Sequence, residues 1–336
     1  MDKIKRFIAF TGVRKAELIE TQRIDHENTR KMIFVKTSMS LVSPGTELAF
    51  FEGTHTTMKT GVCKYPVTMG YSSIGTVLET GKDVTDVEPG DRVVSMSGHY
   101  DQDWTDTWER IPEGLPHEKA IFAILGSVSL HGIRTAELQI GMNVFVSGLG
   151  VIGQIALALC RTGGADILAG ADFYLFRRQM AEKYGADAVF SPDEPDFIEK
   201  ALAVTNKKGY DILIVANTSP ASIHSALKLV AQRGKIIILG SLHGKVEMDL
   251  YTEIQRKEIR LLGSYQPACP NVSTAYYPWN KTSNRNLILQ YQLKNRFDFS
   301  KLITHKGNPE NAQSFYDILS KEKNQCFTAA FHWGNM

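Results

Sequence analysis

Six consecutive residues near the middle of the chain, Gly148, Leu149, Gly150, Val151, Ile152 and Gly153, have the types and spacing of a loop that receives a dinucleotide pyrophosphate. They follow the apolar run VFVS and open the stretch IGQIALALC, so a strand should enter the glycines and a helix leave them. In that setting the first glycine permits a tight turn, the second lets backbone approach the pyrophosphate, and the third lets helix and sheet pack closely. N–H groups at the helix start then face the phosphates. Such glycines also serve loops in other nucleotide or methyl-donor folds, so the match is weak by itself. Asp172 strengthens it, because it ends the next apolar run 19 residues beyond Gly153. A carboxylate there accepts hydrogen bonds from the adenosine ribose and repels a 2'-phosphate, which favours NAD over NADP; its alternative use is to cap a helix. Arg177 pulls toward phosphate, although a helical repeat around it also suits a solvated face. Asn217 and the pair Gly240 and Ser241 end later apolar runs, where they could line the ribose and nicotinamide or simply make turns.

These groups need a scaffold that gathers strand ends, and the pattern after Glu118 provides one. Helix-like segments at 118–138, 151–164, 177–185, 194–209 and 220–234 alternate with strand-like segments at 144–148, 165–172, 187–191, 210–216 and 235–240. This alternation predicts a doubly wound parallel sheet. Before it, FIAF, KMIFVKTSMSLV, SIGTVLET and DRVVSMS are short β-type runs separated by turns such as Pro89-Gly90-Asp91, which predict a mostly β domain. After IRLLGS the alternation lapses into an irregular aromatic stretch at 265–286, then helical segments at 287–296 and 312–321 and a β-type end. The tail is too short and interrupted for a domain of its own. The expected organisation is α/β: a first domain over 1–122, a dinucleotide-binding domain inserted at 123–265, and 266–336 completing the first.

Composition excludes several other classes. The 336 residues carry a net charge of +2, and their basic clusters are short and scattered, unlike the coherent stripe of a nucleic-acid binder. No 18-residue apolar run and no signal-peptide pattern occurs, so neither membrane insertion nor secretion is expected, and a cytoplasmic location is. Cys63, Cys160, Cys269 and Cys326 are too far apart in sequence to form a metal knuckle.

In order and spacing, Ser43-Pro44-Gly45-Thr46-Glu47, Gly70-Tyr71-Ser72-Ser73-Ile74-Gly75, VEPGDRV, the GLGVIG loop, Asp172, YDILIVANTS, GKIIILG and the late LITH resemble the medium-chain dehydrogenase/reductase family, the zinc alcohol dehydrogenase superfamily. The resemblance covers nearly the whole chain. It implies a GroES-like β domain with an inserted Rossmann domain, often paired as a homodimer through the cofactor-domain sheets. The departures concern metal. Where zinc members place a cysteine, this chain has Pro44; where they place a His-Glu pair, it has Tyr71-Ser72; and 120–129 contains neither Cys nor His. The run of four cysteines that forms the family's structural zinc lobe is missing too. No metal is therefore expected in either role, and SPGTE with GYSSIG looks most like a zinc-free branch that includes bacteriochlorophyllide dehydrogenase-like proteins.

Without zinc, alcohol oxidation needs another proton acceptor and another source of polarisation. The resemblance puts Thr46 at a hydroxyl relay position and Tyr71 at a former ligand position, where it could donate to the reacting oxygen or merely fill space. It makes Glu47 a supporting acid. His99, flanked by Tyr100 and Asp101 after a turn, is the candidate to exchange the proton with solvent, with a surface or hydrogen-bonded histidine as the alternative. The expected function is zinc-independent hydride transfer between NAD(H) and a small-molecule secondary alcohol or ketone. A polar cyclic alcohol is preferred because Asp101, Asp103, Asn280 and Asn284 lie beside aromatics. Enoyl reduction and a noncatalytic NAD-binding regulator are the competing readings.

Overall fold

The computed structural model describes residues 4–22 and 29–334. They form two compact units, one of the described residues up to Leu125 and from Arg285 onward, the other Gly126–Asn284. Strands β1 (Ile4–Gly12), β2 (Lys15–Gln22), β3 (Ile33–Leu41), β4 (Val67–Thr68), β5 (Ser73–Thr80), β6 (Arg92–Ser95), β7 (Gln102–Thr105) and β8 (Trp108–Arg110) come first. Helices α1 (Pro44–Phe51), α2 (Thr56–Lys59), α3 (His117–Ala120) and α4 (Ala123–Ala136) interrupt or follow them. Next come β9 (Val144–Ser147), α5 (Val151–Thr162), β10 (Leu168–Ala171), α6 (Leu175–Lys183), β11 (Ala188–Phe190), α7 (Phe197–Val204), β12 (Tyr210–Val215), α8 (Ser222–Leu229), β13 (Val230–Ile238) and β14 (Arg260–Gly263). The chain closes with α9 (Lys281–Leu293), β15 (Ile303–Gly307), α10 (Ala312–Lys321) and β16 (Thr328–His332).

In the first unit β3 is central. It pairs antiparallel with β5, β7 and β16, and the larger sheet runs β15-β16-β3-β5-β6-β8. A smaller sheet runs β2-β1-β4. Phe10, Phe51, Tyr316, Phe331 and Trp333, drawn from both ends of the chain, share one core cluster. Burying those aromatics ties the late strand β16 and helix α10 to the early β elements.

The second unit is a six-stranded parallel sheet in the order β11-β10-β9-β12-β13-β14. Its strands read as continuous apolar runs because helices cover both faces, and all of Leu168–Ala171 is buried. Strand order reverses between β9 and β12, and ligands bind beyond the carboxyl ends of strands at such a switch point. Gly148, Asp172 and Asn217 all lie just past those ends.

Several local expectations change. The helix predicted over 118–138 breaks between α3 and α4, where the Ile121 carbonyl accepts the Ser72 hydroxyl at 2.7 Å rather than continuing the helical ladder. The helix predicted to 234 stops at Leu229, because Val230 pairs with Tyr210 in the sheet. Strands β7 and β8 form within 97–110, beyond the last of the short β-type runs read from the sequence. Residues 266–284 belong to the second unit, held by Tyr277 on His131 and by Asn284 on Arg134 and Cys269. Helix α9 starts at Lys281 instead of 287, since Asn280 and Ser283 cap it reciprocally at 2.7 and 2.8 Å.

Candidate active site

In the first unit the site is built on the start of α1. Pro44 occupies the first helical turn, where its missing N–H is harmless. Ser43 stands at the N-cap, yet its hydroxyl caps nothing. The N–H groups of Thr46 and Glu47 donate to the Ser43 carbonyl at 3.2 and 2.9 Å, and Glu47, one turn on, accepts the Ser43 N–H with Oε1 at 2.6 Å. The Glu47 carboxylate is 0% exposed, and its Oε2 accepts the Tyr316 hydroxyl at 2.5 Å and faces His99 Nε2 at 3.0 Å. His99 Nδ1 lies 2.8 Å from Ser40 Oγ, which accepts the Trp333 indole N–H at 2.8 Å. The indole only donates, so Ser40 Oγ accepts from Trp333 and keeps its own O–H for a further bond, while His99 Nε2 donates to a carboxylate that also holds Tyr316.

This network carries Tyr71. Gly70 has φ +90°, and a Cβ there would sit 2.8 Å from both the His99 backbone nitrogen and its ring. The Gly70 backbone therefore rests on the buried imidazole, which fixes where the next residue begins. On the following strand the Ser73 hydroxyl donates to the Gly98 carbonyl at 2.9 Å, tying that strand to the turn that bears His99. The Tyr71 hydroxyl meets Ser43 Oγ and is also hydrogen bonded by the Thr46 side chain. Burial pushes the Tyr71 phenol above its ordinary pKa; Glu47 adds to the rise, while the bonds from Ser43 and Thr46 oppose it. A phenol in this state is a proton donor at neutral pH and a poor base.

Tyr71 and Thr46 are thus brought together, with Glu47 and His99 behind them. His99 departs from expectation, since it is 1% exposed and both ring nitrogens are engaged inside the protein. A histidine so enclosed presents no nitrogen to solvent, so the proton exchange with solvent expected of it is not supported. Ser43, Ser40, Tyr316 and Trp333 escaped the sequence reading. Ser43 was visible only as a motif letter, and the other three gave no local signal. The polar groups invoked for a polar substrate are committed elsewhere: Asp103 to Lys5 at 2.7 Å, Asp101 to the Arg6 N–H at 2.9 Å, and Asn284 to Arg134. Trp104 packs on Phe34 and Trp108 donates to Asp86.

A zinc ion does not fit this donor set. Pro44 offers no ligand atom, and the Tyr71 oxygen is hydrogen bonded to the Ser43 hydroxyl. Among the described residues no three His, Cys, Asp or Glu side chains converge to hold a metal.

The second unit presents the glycine loop. Gly148 has φ +93°, a conformation that favours glycine, and a Cβ on Gly153 would lie 1.9 Å from the Gly148 carbonyl oxygen. These two glycines are requirements of the fold. Gly150 differs, for a Cβ there meets nothing nearer than Arg177 Nη1 at 3.8 Å, which leaves open space at the start of α5. Leu149 and Val151 are buried, and the Ile152 carbonyl accepts Ser129 Oγ at 3.0 Å. Asp172 accepts the N–H groups of Leu149 at 2.9 Å and Tyr174 at 3.0 Å, with Arg177 Nη1 3.5 Å away. Asn217 donates to the Ser147 carbonyl at 3.1 Å and accepts the Ser219 N–H at 2.9 Å, so it locks strand ends together. A Cβ on Gly240 would lie 2.0 Å from the Asn217 carbonyl, which makes that glycine a packing residue, while Ser241 is exposed.

Comparison with known proteins agrees with this architecture. The family model described as alcohol dehydrogenase GroES-like domain matches residues 33–110, and that described as zinc-binding dehydrogenase matches 151–279, between them more than half of the chain. D-guloside 3-dehydrogenase of Escherichia coli K12 is 25% identical over 265 residues, which are 74% of this chain and 73% of the relative. A zinc-binding dehydrogenase of Sinorhizobium meliloti 1021, solved bound to NADP, matches with TM-score 0.81 and 20% identity over 98% of this chain and 100% of that one. A short chain alcohol dehydrogenase of Escherichia coli CFT073, solved with NADH, matches with TM-score 0.82 and 15% identity over 98% and 100%. With a GroES-like domain and a parallel nucleotide-type sheet matched in this order, the chain belongs to the medium-chain dehydrogenase/reductase superfamily and is an oxidoreductase.

Proposed function

We propose that the protein transfers hydride between NAD(H) and a secondary alcohol or its ketone without zinc, acting on a polar cyclic substrate. The observation that carries this reading is the hydroxyl cluster of Tyr71, Thr46 and Ser43 at a position where a metal donor set does not fit. The nicotinamide, when bound, supplies or accepts the hydride. The protein's part is to manage the proton. A buried phenol with a raised pKa donates to the oxygen that gains negative charge as a ketone is reduced, and it receives the proton back when the alcohol is oxidised. Glu47, held by His99, Tyr316 and the Ser43 N–H, keeps the helix start fixed beneath that phenol.

The glycine loop and the open space at Gly150 support a dinucleotide cofactor. The buried carboxylate of Asp172 supports NAD, because a 2'-phosphate beside it would meet like charge. The activity named for the D-guloside relative supports a polar cyclic alcohol. A cytoplasmic homodimer joined through β14, at the edge of the parallel sheet, completes the proposal; among the described residues no helix is long and apolar enough to cross a membrane.

The test is a panel of polar cyclic and acyclic secondary alcohols and ketones, followed by nicotinamide absorbance, with metal content measured on the same sample. Turnover that survives chelation and a zinc content well below one per chain are expected. Reduction of conjugated double bonds with no activity on alcohols or ketones would replace the proposed reaction with enoyl reduction. A zinc whose removal abolishes turnover would end the metal-free mechanism.

A further inference from the structure

The serine at the head of α1 is in an unusual position for its type. Serine at an N-cap ordinarily spends its oxygen on the free N–H groups of the first turn. Ser43 does not: Pro44 has no N–H to cap, and the N–H groups of Thr46 and Glu47 both donate to the Ser43 carbonyl, at 3.2 and 2.9 Å, while the Glu47 carboxylate holds the Ser43 N–H. Glu47 is itself fixed by Tyr316 and His99, and His99 by Ser40 and Trp333. The Ser43 hydroxyl, in a residue 5% exposed, makes no cap and meets the Tyr71 hydroxyl instead. Nothing in local sequence requires that arrangement, and five side chains from five elements of the fold, α1, α10, β3, the turn before β7 and the segment after β16, surround it.

We infer that Ser43 is a positioning residue that makes Tyr71 a proton donor toward substrate. The inference rests on the reaction proposed above. One hydrogen bond joins the two hydroxyls, and it can run in either direction. When Tyr71 donates to Ser43, its proton is turned inward and unavailable. When Ser43 donates to Tyr71, the phenolic proton is free to point at another oxygen. In ketone reduction the hydride adds to the carbonyl carbon and the π pair moves to oxygen, which takes the Tyr71 proton. The phenolate left behind is then stabilised by the O–H of Ser43 and that of Thr46, and later regains a proton from water. Ser43 keeps its own proton throughout and acts only through Tyr71. The bonds from Ser43 and Thr46 both favour the ionised phenol, as this role requires.

The test uses the full chain with its tyrosines labelled with carbon-13 at the ring carbon bearing oxygen, and Tyr71 assigned by loss of its signal in Tyr71→Phe. In the cofactor-free protein, Ser43→Ala should shift the Tyr71 resonance and move its titration to higher pH, and Ser43→Thr should restore both. In single-turnover ketone reduction, Ser43→Ala should slow hydride transfer about tenfold, less than the roughly hundredfold or more lost with a positioned proton donor itself because Tyr71 remains, with NADH affinity unchanged and Ser43→Thr recovering most of the rate. An unmoved Tyr71 resonance in Ser43→Ala would overturn the inference whatever the substrate. So would a moved resonance with a full rate of hydride transfer. A wild-type chain inactive on every secondary alcohol and ketone would reject the reaction itself, a result read before any variant is compared.

Discussion

Replacing Gly150 by alanine should separate cofactor binding from folding. Gly150 has φ −69° and ψ −169°, which alanine adopts freely, and a Cβ there meets only Arg177 Nη1 at 3.8 Å. Alanine is a poorer N-cap than glycine, by roughly 1 kcal/mol. It also restricts the unfolded chain, which returns about 0.4–1 kcal/mol. The net change in stability is therefore close to zero, and the unfolding temperature should stay within a few degrees of wild type. A bound pyrophosphate changes the situation, because the added methyl then occupies space the phosphate oxygens need. An extra methyl in a filled site typically costs about 1–3 kcal/mol. At about 1.4 kcal/mol per factor of ten, the Kd for NADH should rise roughly 5- to 150-fold. Gly153→Ala is the control, since its Cβ would lie 1.9 Å from a carbonyl oxygen and the loop itself must move. That variant should lose stability as well as binding. Fluorescence titration with NADH and a thermal melt on the same samples read both quantities. A Gly150→Ala protein that melts normally and binds NADH within twofold of wild type would refute the assignment of this loop to the pyrophosphate.

Tyr71→Phe should lower turnover by about 10- to 10,000-fold while leaving cofactor affinity intact; full single-turnover rate in a folded variant would reduce Tyr71 to a space-filling residue. Because burial raises its pKa, Tyr71 stays protonated through the neutral range, so ketone reduction should show no loss between about pH 7 and 9 attributable to this group and should fall only at higher pH. An activity loss centred near neutrality and abolished by Tyr71→Phe would contradict the raised pKa. Tyr316→Phe deletes a donor to a fully buried carboxylate and should destabilise the first unit by about 1.5–3 kcal/mol, measured as a lower urea midpoint with unchanged slope; an unshifted midpoint would remove Tyr316 from the network. NADH should bind more tightly than NADPH, and the reverse order in a competition titration would transfer the recognition role from Asp172 to Arg177.

What the amino-acid order determined by itself was the nucleotide-type unit, and the reason is that its signals are local. A strand, three glycines and a helix lie within 144–162, and each glycine acts on atoms only a few residues or one strand away. Strand–helix alternation carried the rest of that sheet because each element displays its own period. Helix ends were less legible: Leu229 and Val230 are equally apolar, and only pairing with Tyr210 decides that one ends a helix and the other begins a strand. The proton-handling site lay further out of reach. Tyr316 stands 269 residues from Glu47 and Trp333 stands 293 from Ser40, so no window of sequence contains both partners. Read alone, Ser43 is one letter of the SPGTE motif and His99 a histidine after a turn that could exchange a proton with solvent. Tertiary packing decided otherwise, because burying a carboxylate forces every nearby donor to turn toward it. With the first-turn N–H groups on its own carbonyl, the Ser43 hydroxyl was left to Tyr71, and His99 was enclosed where its sequence context had suggested solvent.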